Sequence, residues 1–207
     1  MTYTALAVVW IIWCTVHSIL ITPWTTAFFR RIFKDRYRYF RLVYNSVAVI
    51  SLIPVLAFSR GMAGETLFAW DGWLTLPWLV LWGVALFLSV QGYRAYDMGQ
   101  VSGLRQAMTG PLPPSKSRLN TGGILGITRH PWYLAGLVFL WIRSRHIHLS
   151  MVVENLVLCL YLFIGMRLEE RKLLMVFGNR YKDYQDRVSP LFPLKWMVAL
   201  FQKQRQR

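Results

Sequence analysis

The stretch Leu74-Thr-Leu-Pro-Trp-Leu-Val-Leu-Trp-Gly-Val-Ala-Leu-Phe-Leu-Ser-Val-Gln-Gly-Tyr93 decides the fold class, because it holds no Asp, Glu, Lys or Arg. A helix in a soluble core keeps a polar face toward water, and this one has none to offer. A transmembrane helix needs about 20 apolar residues to cross a hydrocarbon layer of about 30 Å, and the stretch is of that length. Four further apolar runs flank it: Tyr3–Ile21, Leu42–Phe58 with Pro54 as a kink, Pro131–Ile142 with an outer limit at Leu149, and Met151–Met166. No basic segment precedes the first run and no small-x-small site follows it, so it reads as a span and not as a cleavable signal peptide. The fourth run is short and followed by Arg143 and Arg145. It reads as a tilted or snorkelling span, with a re-entrant segment as the alternative. The expected fold is all-α: an integral membrane helical bundle of about five transmembrane helices with a cytoplasmic C-terminal amphipathic helix. Residues 1–207 form one membrane domain in this reading. Three spans occupy 1–96, a cytoplasmic connector 97–128, a hairpin with a closing helix 129–193, and a basic tail 194–207.

Charge then orients the spans. The chain carries 24 Lys+Arg against 9 Asp+Glu, a net charge of +15, on a sequence that is 55% hydrophobic. So much apolar surface excludes a disordered chain. The basic excess invites a nucleic-acid reading, but ten tryptophans and a mean hydropathy of +0.35 argue against one. Sorted by loop, 21 basic residues fall in the first loop (Arg30 to Arg41), the third loop (Arg94 to Arg129) and the tail (Arg167 to Arg207). Only Arg60, Arg143 and Arg145 fall on the other side. The positive-inside rule therefore puts the N-terminus outside and the C-terminus in the cytoplasm, as in a bacterial inner membrane. Aromatic residues such as Trp70, Trp73, Trp78 and Trp141 cluster near run ends, as interface belts do. Cys14 and Cys159 lie inside apolar runs, which gives neither a disulfide framework nor zinc-like spacing. His146-x-His148 lacks an acidic or thiol neighbour, so no metal is expected. Thr109–Ser117 reads as a turn-rich connector.

Polar residues in or beside spans are costly and hence functional candidates. In this topology many share one depth, at the cytoplasmic ends of the spans: His17 and Ser18, Tyr44 and Asn45, Tyr93 to Asp97, Arg129 to Tyr133, and Arg167, Glu169 and Glu170. The densest segment is Thr121-Gly-Gly-Ile-Leu-Gly-Ile-Thr-Arg-His-Pro-Trp-Tyr-Leu-Ala-Gly136. Pro131 suits the first turn of a helix, whose free N–H groups favour an anion. Beyond the fifth run, Glu170, Leu174, Phe177, Tyr181 and Tyr184 recur at one helix face, with Gly178 as a break point. Such a helix either packs on the membrane surface or closes over a polar, cationic ligand.

These blocks carry a resemblance. Arg129-His-Pro-x-Tyr133-x-x-Gly136, then Glu169-Glu170-x-x-Leu-x-x-x-Phe-Gly178-x-x-Tyr181-x-x-Tyr184 and Pro190-Leu-Phe-Pro193, resemble the isoprenylcysteine carboxyl methyltransferase and phospholipid methyltransferase superfamily. In the N-terminal half, His17-Ser18, Tyr39-x-Arg41-Leu-x-Tyr44-Asn45, Asp97 and Gly103-Leu-Arg-Gln106 resemble the branch with methanethiol S-methyltransferases and NnrU-type membrane proteins. The resemblance implies S-adenosylmethionine as cofactor, bound between the last two spans and the C-terminal helix. It implies a cofactor wall of Gly123, Ile124, Leu125, Arg129, His130, Tyr133 and Gly136, faced by Glu169 and Glu170 and closed by Tyr181 and Tyr184.

That chemistry suits the residue types. Aromatic faces hold a sulfonium by cation–π attraction, and an arginine clamps a carboxylate. The expected acceptor is a small or lipophilic molecule, a thiol such as methanethiol being favoured, with His17, Tyr44, Asn45 and Gln106 as its binding residues. Thiols ionise near pH 8.5 or above, so the site needs a base or a cation that favours the thiolate. His17, His130 and the glutamates are open as bases, and Arg105 or Arg167 as the stabilising cation; His17, Arg105, Arg167 and Glu170 are the catalytic candidates. The expected partners are the lipid bilayer and this small acceptor, with no nucleic acid, and the oligomeric state is left open. Two alternatives stand: an NADPH-dependent reductase like the sterol reductases, and a non-enzymatic accessory protein of denitrification.

Overall fold

The computed structural model describes residues 2–62, 64–110 and 119–205. The connector expected at Thr109–Ser117 lies, beyond Gly110, outside the described residues, as do Lys116, Arg118 and Arg207 of the charge tally. In chain order the elements are α1 (Tyr3–Leu20), α2 (Pro23–Phe33), α3 (Phe40–Gly61), β1 (Thr66–Ala69), α4 (Thr75–Ala95), α5 (Met98–Ser102) and α6 (Leu104–Thr109). Then follow α7 (Pro131–Ile142), β2 (His146–His148), α8 (Leu149–Phe177), α9 (Asn179–Arg187) and α10 (Leu194–Arg205).

Among the described residues, four helical runs are long and apolar enough to cross a membrane: Tyr3–Leu20, Pro23–Gly61, Gly72–Ala95 and Leu149–Phe177. The fourth run of the sequence becomes α7, which has 12 residues and is about 18 Å long at 1.5 Å per residue. That falls short of the hydrocarbon thickness. The reason lies at its end. The carbonyls of Trp141 and Ile142 accept from the indole Nε1 of Trp70 (3.2 Å) and of Trp78 (2.8 Å). Arg145 lies over the Trp78 ring at 5.1 Å. The last carbonyls of a helix need donors where water is scarce, and indoles supply them here. Two tryptophans expected as interface belts thus also terminate a helix. Helices otherwise dominate, but β1 pairs antiparallel with β2, Phe68 opposite Ile147 and Ala69 opposite His146. His146 and His148 therefore sit on a strand.

The chain divides into two interleaved units: Met1–Ala69 with Asp97–Lys116 and His146–Cys159, and Trp70–Tyr96 with Ser117–Arg145 and Leu160–Arg207. The first unit packs α1 on α3 around Leu6, Trp10 and Val55, with Val153 and Val157 of α8 against them. Indole donors cross-link these helices: Trp10 to Ser59 Oγ at 2.9 Å and Trp13 to Ser51 Oγ at 3.1 Å. Pro54 lies inside α3, which continues on both sides of it. The α5–α6 elbow is pinned to the start of α3. Asn45 donates to the carbonyls of Val101 (3.2 Å) and Ser102 (2.9 Å), and Arg41 Nε to Val101 (3.1 Å). The elbow turns at Gly103, where φ is +89° and a Cβ would lie 2.7 Å from the Leu42 nitrogen, which leaves no room for a side chain.

In the second unit α4 packs on α7 around Leu88, Leu134 and Ala135, joined by Ile124, Leu125, Met166 and Leu191. A satellite cluster of Tyr181, Tyr184 and Val188 rests on Leu119, Leu173 and Phe177. Gly178, at φ +56°, separates α8 from α9, so the break expected there is present.

Candidate active site

The motif residues of the second unit converge on one carboxylate. Backbone placement comes first. Arg129 N donates to Ser189 O and His130 N to Pro190 O, both at 3.0 Å, and Thr128 Oγ1 donates to Pro190 O at 3.0 Å. The Pro190-Leu-Phe-Pro193 block is thus tied to the Arg129-His-Pro block as a short parallel pair. Pro131 then starts α7 and throws the His130 side chain inward, where it is 1% exposed.

Glu170 on α8 receives these groups. Its Oε1 accepts from Arg129 Nε at 2.7 Å, from His130 Nε2 at 3.0 Å and from the Tyr181 hydroxyl at 3.4 Å, with Arg129 Nη2 at 2.6 Å. Its Oε2 accepts from Gln185 Nε2 at 3.1 Å. Arg129 Nη1 continues to the carbonyls of Gln185 (3.1 Å) and Val188. Arg129 and Glu170 are each 8% exposed. Desolvating such a pair costs several kcal/mol per ion, and full hydrogen bonding on both sides is what makes it tolerable. The network ties the N-terminus of α7 to α8 and α9. Next to it, the Tyr184 hydroxyl donates to Leu125 O at 2.5 Å and fixes the 3-10 turn Gly123–Gly126, in which Ile124 and Leu125 are buried and Gly123 has φ +58°. Burial pushes the Tyr184 phenol up to about 12, Arg129 nearby acting the other way, so it stays a donor at neutral pH. Burial raises Tyr181 as well, with Glu170 adding to it.

One side of this hub is unfinished. His130 Nδ1 is buried and has no hydrogen-bond partner among the described residues. The nearest carboxylate oxygen is Glu169 Oε2, 3.9 Å away, on a side chain that is 36% exposed. The Tyr133 hydroxyl hydrogen-bonds Glu169, and its ring stands edge-on to His130 with centroids 5.3 Å apart. Tyr96 senses the charge of Glu169, and burial, followed by that charge, raises its phenol. The result is a cluster of one half-exposed carboxylate, two phenol rings and a buried, unsatisfied ring nitrogen. It suits a cation bearing a hydrogen-bond donor. Beside it lies a cavity of about 370 Å³ lined by Arg167, Glu170, Arg171, Leu174 and Gln185, where two exposed guanidiniums can face an anionic group. Gly136 lies apart from this polar set, near Leu162 and along an apolar groove.

The remaining candidates belong to the first unit. The Tyr44 hydroxyl lies 2.6 Å from Nε2 and 2.9 Å from Nδ1 of His17, on which Trp13 stacks with centroids 5.2 Å apart. This pair lines a largely apolar groove of about 320 Å³ with Val9, Val16 and Ser51. Asn45 is used in the elbow described above. Arg105 pairs with Asp97 at the surface, and Asp97 is held below the usual carboxylate range by the Gln100 N–H and, after a small opposing desolvation, by Arg105. Gln106 donates to Gln100 O at 3.1 Å.

Tyr96 is among the polar candidates read from the sequence but without a role there; Gln185 is not among them, nor are Glu154 and Asn155, which are 3% and 0% exposed within α8. A carboxylate inside an apolar run was the available signal for Glu154. Gln185 carries none, since glutamine is common on helix surfaces.

Comparison with known proteins fits the motif pattern. The chain is 31% identical over 121 residues to the methanethiol S-methyltransferase of Pseudomonas deceptionensis, covering 58% of this chain and 44% of that protein. It is 35% identical over 85 residues to methanethiol S-methyltransferase 1 of Bradyrhizobium diazoefficiens, covering 39% of this chain and 28% of the other. The chain thus spans less than half the length of the curated relatives it matches. No family profile and no solved structure matches it.

Proposed function

We propose that the chain is an integral membrane methyltransferase that uses S-adenosylmethionine and methylates a small lipophilic acceptor, a thiol such as methanethiol being favoured. In this reading it is a protein of the bacterial inner membrane with its N-terminus outside and its C-terminus in the cytoplasm. The observation that carries the proposal is the unfinished side of the Glu170 hub: a buried His130 Nδ1 facing Glu169, Tyr133 and Tyr96. When bound, S-adenosylmethionine supplies an electrophilic methyl group on a sulfonium.

The residues have distinct parts. Glu169 and the rings of Tyr133 and Tyr96 hold positive charge. Arg167 and Arg171 hold a carboxylate. Glu170 accepts from His130 Nε2, which leaves Nδ1 of the neutral ring as an acceptor. His130 Nδ1 therefore takes a proton from a thiol or a hydrogen bond from the cofactor. Arg129, Tyr181 and Tyr184 keep this wall in place and are positioning residues. The names of the two relatives support methyl transfer to methanethiol as the reaction to try first.

Native mass spectrometry of the purified protein, looking for co-purified S-adenosylhomocysteine, is the first test. Thermal shift with S-adenosylmethionine and with NADPH, then methyl transfer from labelled cofactor to a thiol panel, follows. Stabilisation by S-adenosylmethionine with labelled dimethyl sulfide as product is expected. A protein stabilised by NADPH alone, or by neither, overturns the proposal.

A further inference from the structure

The second unit carries a groove that the polar site does not use, and the inference drawn from it rests on the function proposed above. The groove has a volume of about 590 Å³ and runs along the α4–α7 face, lined by Trp82, Gly83, Leu86, Ser89, Trp132 and Phe139 among others. Leu86 and Phe139 are exposed, so it opens outward from a helix long and apolar enough to cross a membrane. Its lining is apolar apart from Ser89 and indole N–H groups. The Nε1 of Trp82 is buried and has no hydrogen-bond partner among the described residues. A donor left unpaired beside an apolar groove is costly to bury.

Trp132 makes the connection to chemistry. It lines the groove, and its ring also packs on Tyr96 with centroids 5.0 Å apart, which puts it in contact with the cluster of Tyr96, Tyr133 and Glu169. Its place is fixed twice over. Its Nε1 donates to Ser89 O at 3.1 Å, and the ring fills a slot over Gly92, where a Cβ would lie 2.2 Å from Cδ1 and 2.3 Å from Nε1. Any side chain at Gly92 must push the indole away. Trp132 is also only two residues from His130, the group with the spare nitrogen.

We propose that the α4–α7 groove is the acceptor subsite, that its occupant is a small alkyl thiol drawn from the bilayer, and that Trp132, seated on Gly92, is the positioning residue that sets how far the thiol reaches toward the polar cluster. A short apolar thiol concentrates in lipid, and a groove open to lipid at one end and bounded by Trp132 at the other receives it without crossing water. The polar cluster recognises charge, so donor and acceptor are sorted by polarity.

Gly83 gives a clean test, because a Cβ there meets nothing within 4 Å among the described residues. Gly83→Leu adds bulk to the groove and is expected to raise the acceptor KM by about tenfold or more, as added bulk does in an apolar pocket. The S-adenosylmethionine Kd and melting temperature stay as in the wild type. Gly92→Ala displaces Trp132 and is expected to lower kcat for methanethiol while shifting preference among longer alkyl thiols. Trp132→Phe, which keeps a ring and removes the bond to Ser89, does the same in a milder form if the alanine variant fails to fold. A readout independent of turnover is photo-crosslinking with an alkyl diazirine thiol. Label is expected on peptides containing Trp82–Ser89 and Trp132–Phe139, and excess ethanethiol should compete it away. An unchanged acceptor KM in Gly83→Leu, label outside these peptides, or label competed only by phospholipid overturns the proposal, the last making the groove a lipid seat. If the wild type neither binds S-adenosylmethionine nor turns over, the proposed function fails, and the crosslink still reports on the groove.

Discussion

Two polar groupings sit among apolar helices in this protein, and they are built on opposite principles. In the second unit a single carboxylate, Glu170, is served by Arg129 and His130 from the start of α7 and by Tyr181 and Gln185 from α9. In the first unit His17 and Tyr44 form a two-residue contact on an apolar groove, with Trp13 stacked behind. The first arrangement fixes backbone: removing its centre leaves a buried guanidinium without a counter-charge and releases three segments together. The second fixes two side chains, and removing one leaves the helices that carry them packed through Leu6, Trp10 and Val55. A polar group that many segments share holds a wall in place; a contact between two side chains leaves the packing of their helices to apolar residues.

The contrast can be broken by substitution. Glu170→Ala has the largest expected effect, a loss of about 3–5 kcal/mol, because Arg129 remains buried and unpaired. Melting in detergent should fall steeply and S-adenosylmethionine binding should vanish in calorimetry; a normal melt with retained binding would mean that the hub holds nothing. Tyr184→Phe comes next. It strips the Leu125 carbonyl of its donor at a cost of about 1–3 kcal/mol and loosens the Gly123–Gly126 turn. It also sharpens the pH response. The folded phenol sits at about 12, above the ordinary 10, so its contribution is complete below pH 10 and disappears as pH climbs through 12. Melting curves across that window should fall more steeply for wild type than for Tyr184→Phe. Tyr44→Phe is smaller, about 1 kcal/mol, and should leave cofactor affinity unchanged, as calorimetry with S-adenosylmethionine would show. Arg105→Ala is the smallest. Its ion pair with Asp97 is exposed, and the melting temperature should not move; turnover separates a catalytic Arg105, whose loss would lower it markedly, from a surface ion pair, whose loss would not.

Many residues of the candidate site are legible in the sequence. Arg129, His130, Tyr133, Glu169, Glu170, Tyr181 and Tyr184 belong to ordered motif blocks, and spacing alone put Glu170 and the two tyrosines on one helix face. The break at Gly178 was readable as well; what spacing did not reveal is that Tyr181, beyond that break on α9, still reaches Glu170. Nor did it separate Glu169 from Glu170. Adjacent residues on a helix point about 100° apart, so one glutamate is buried in the hub and the other is left half exposed. Gly136 went with its motif in the sequence and with the apolar groove in the structure, because motif membership records order along the chain and not which side of a helix a residue faces.

The sequence by itself determined the helical, membrane-compatible character of the chain, since a charge-free stretch such as Leu74–Tyr93 has no soluble alternative. It also determined which residue types are available for chemistry. Tertiary structure alone decided which polar groups are spent on one another and which are left over. Arg129 is consumed by Glu170 and two carbonyls, while His130 keeps one nitrogen unsatisfied. It also decided that α7 stops at Ile142, because the donors that satisfy its last carbonyls come from Trp70 and Trp78, more than sixty residues earlier in the chain. Hydrogen-bond donors and acceptors are paired in space, and partners so distant in sequence leave no local trace in it.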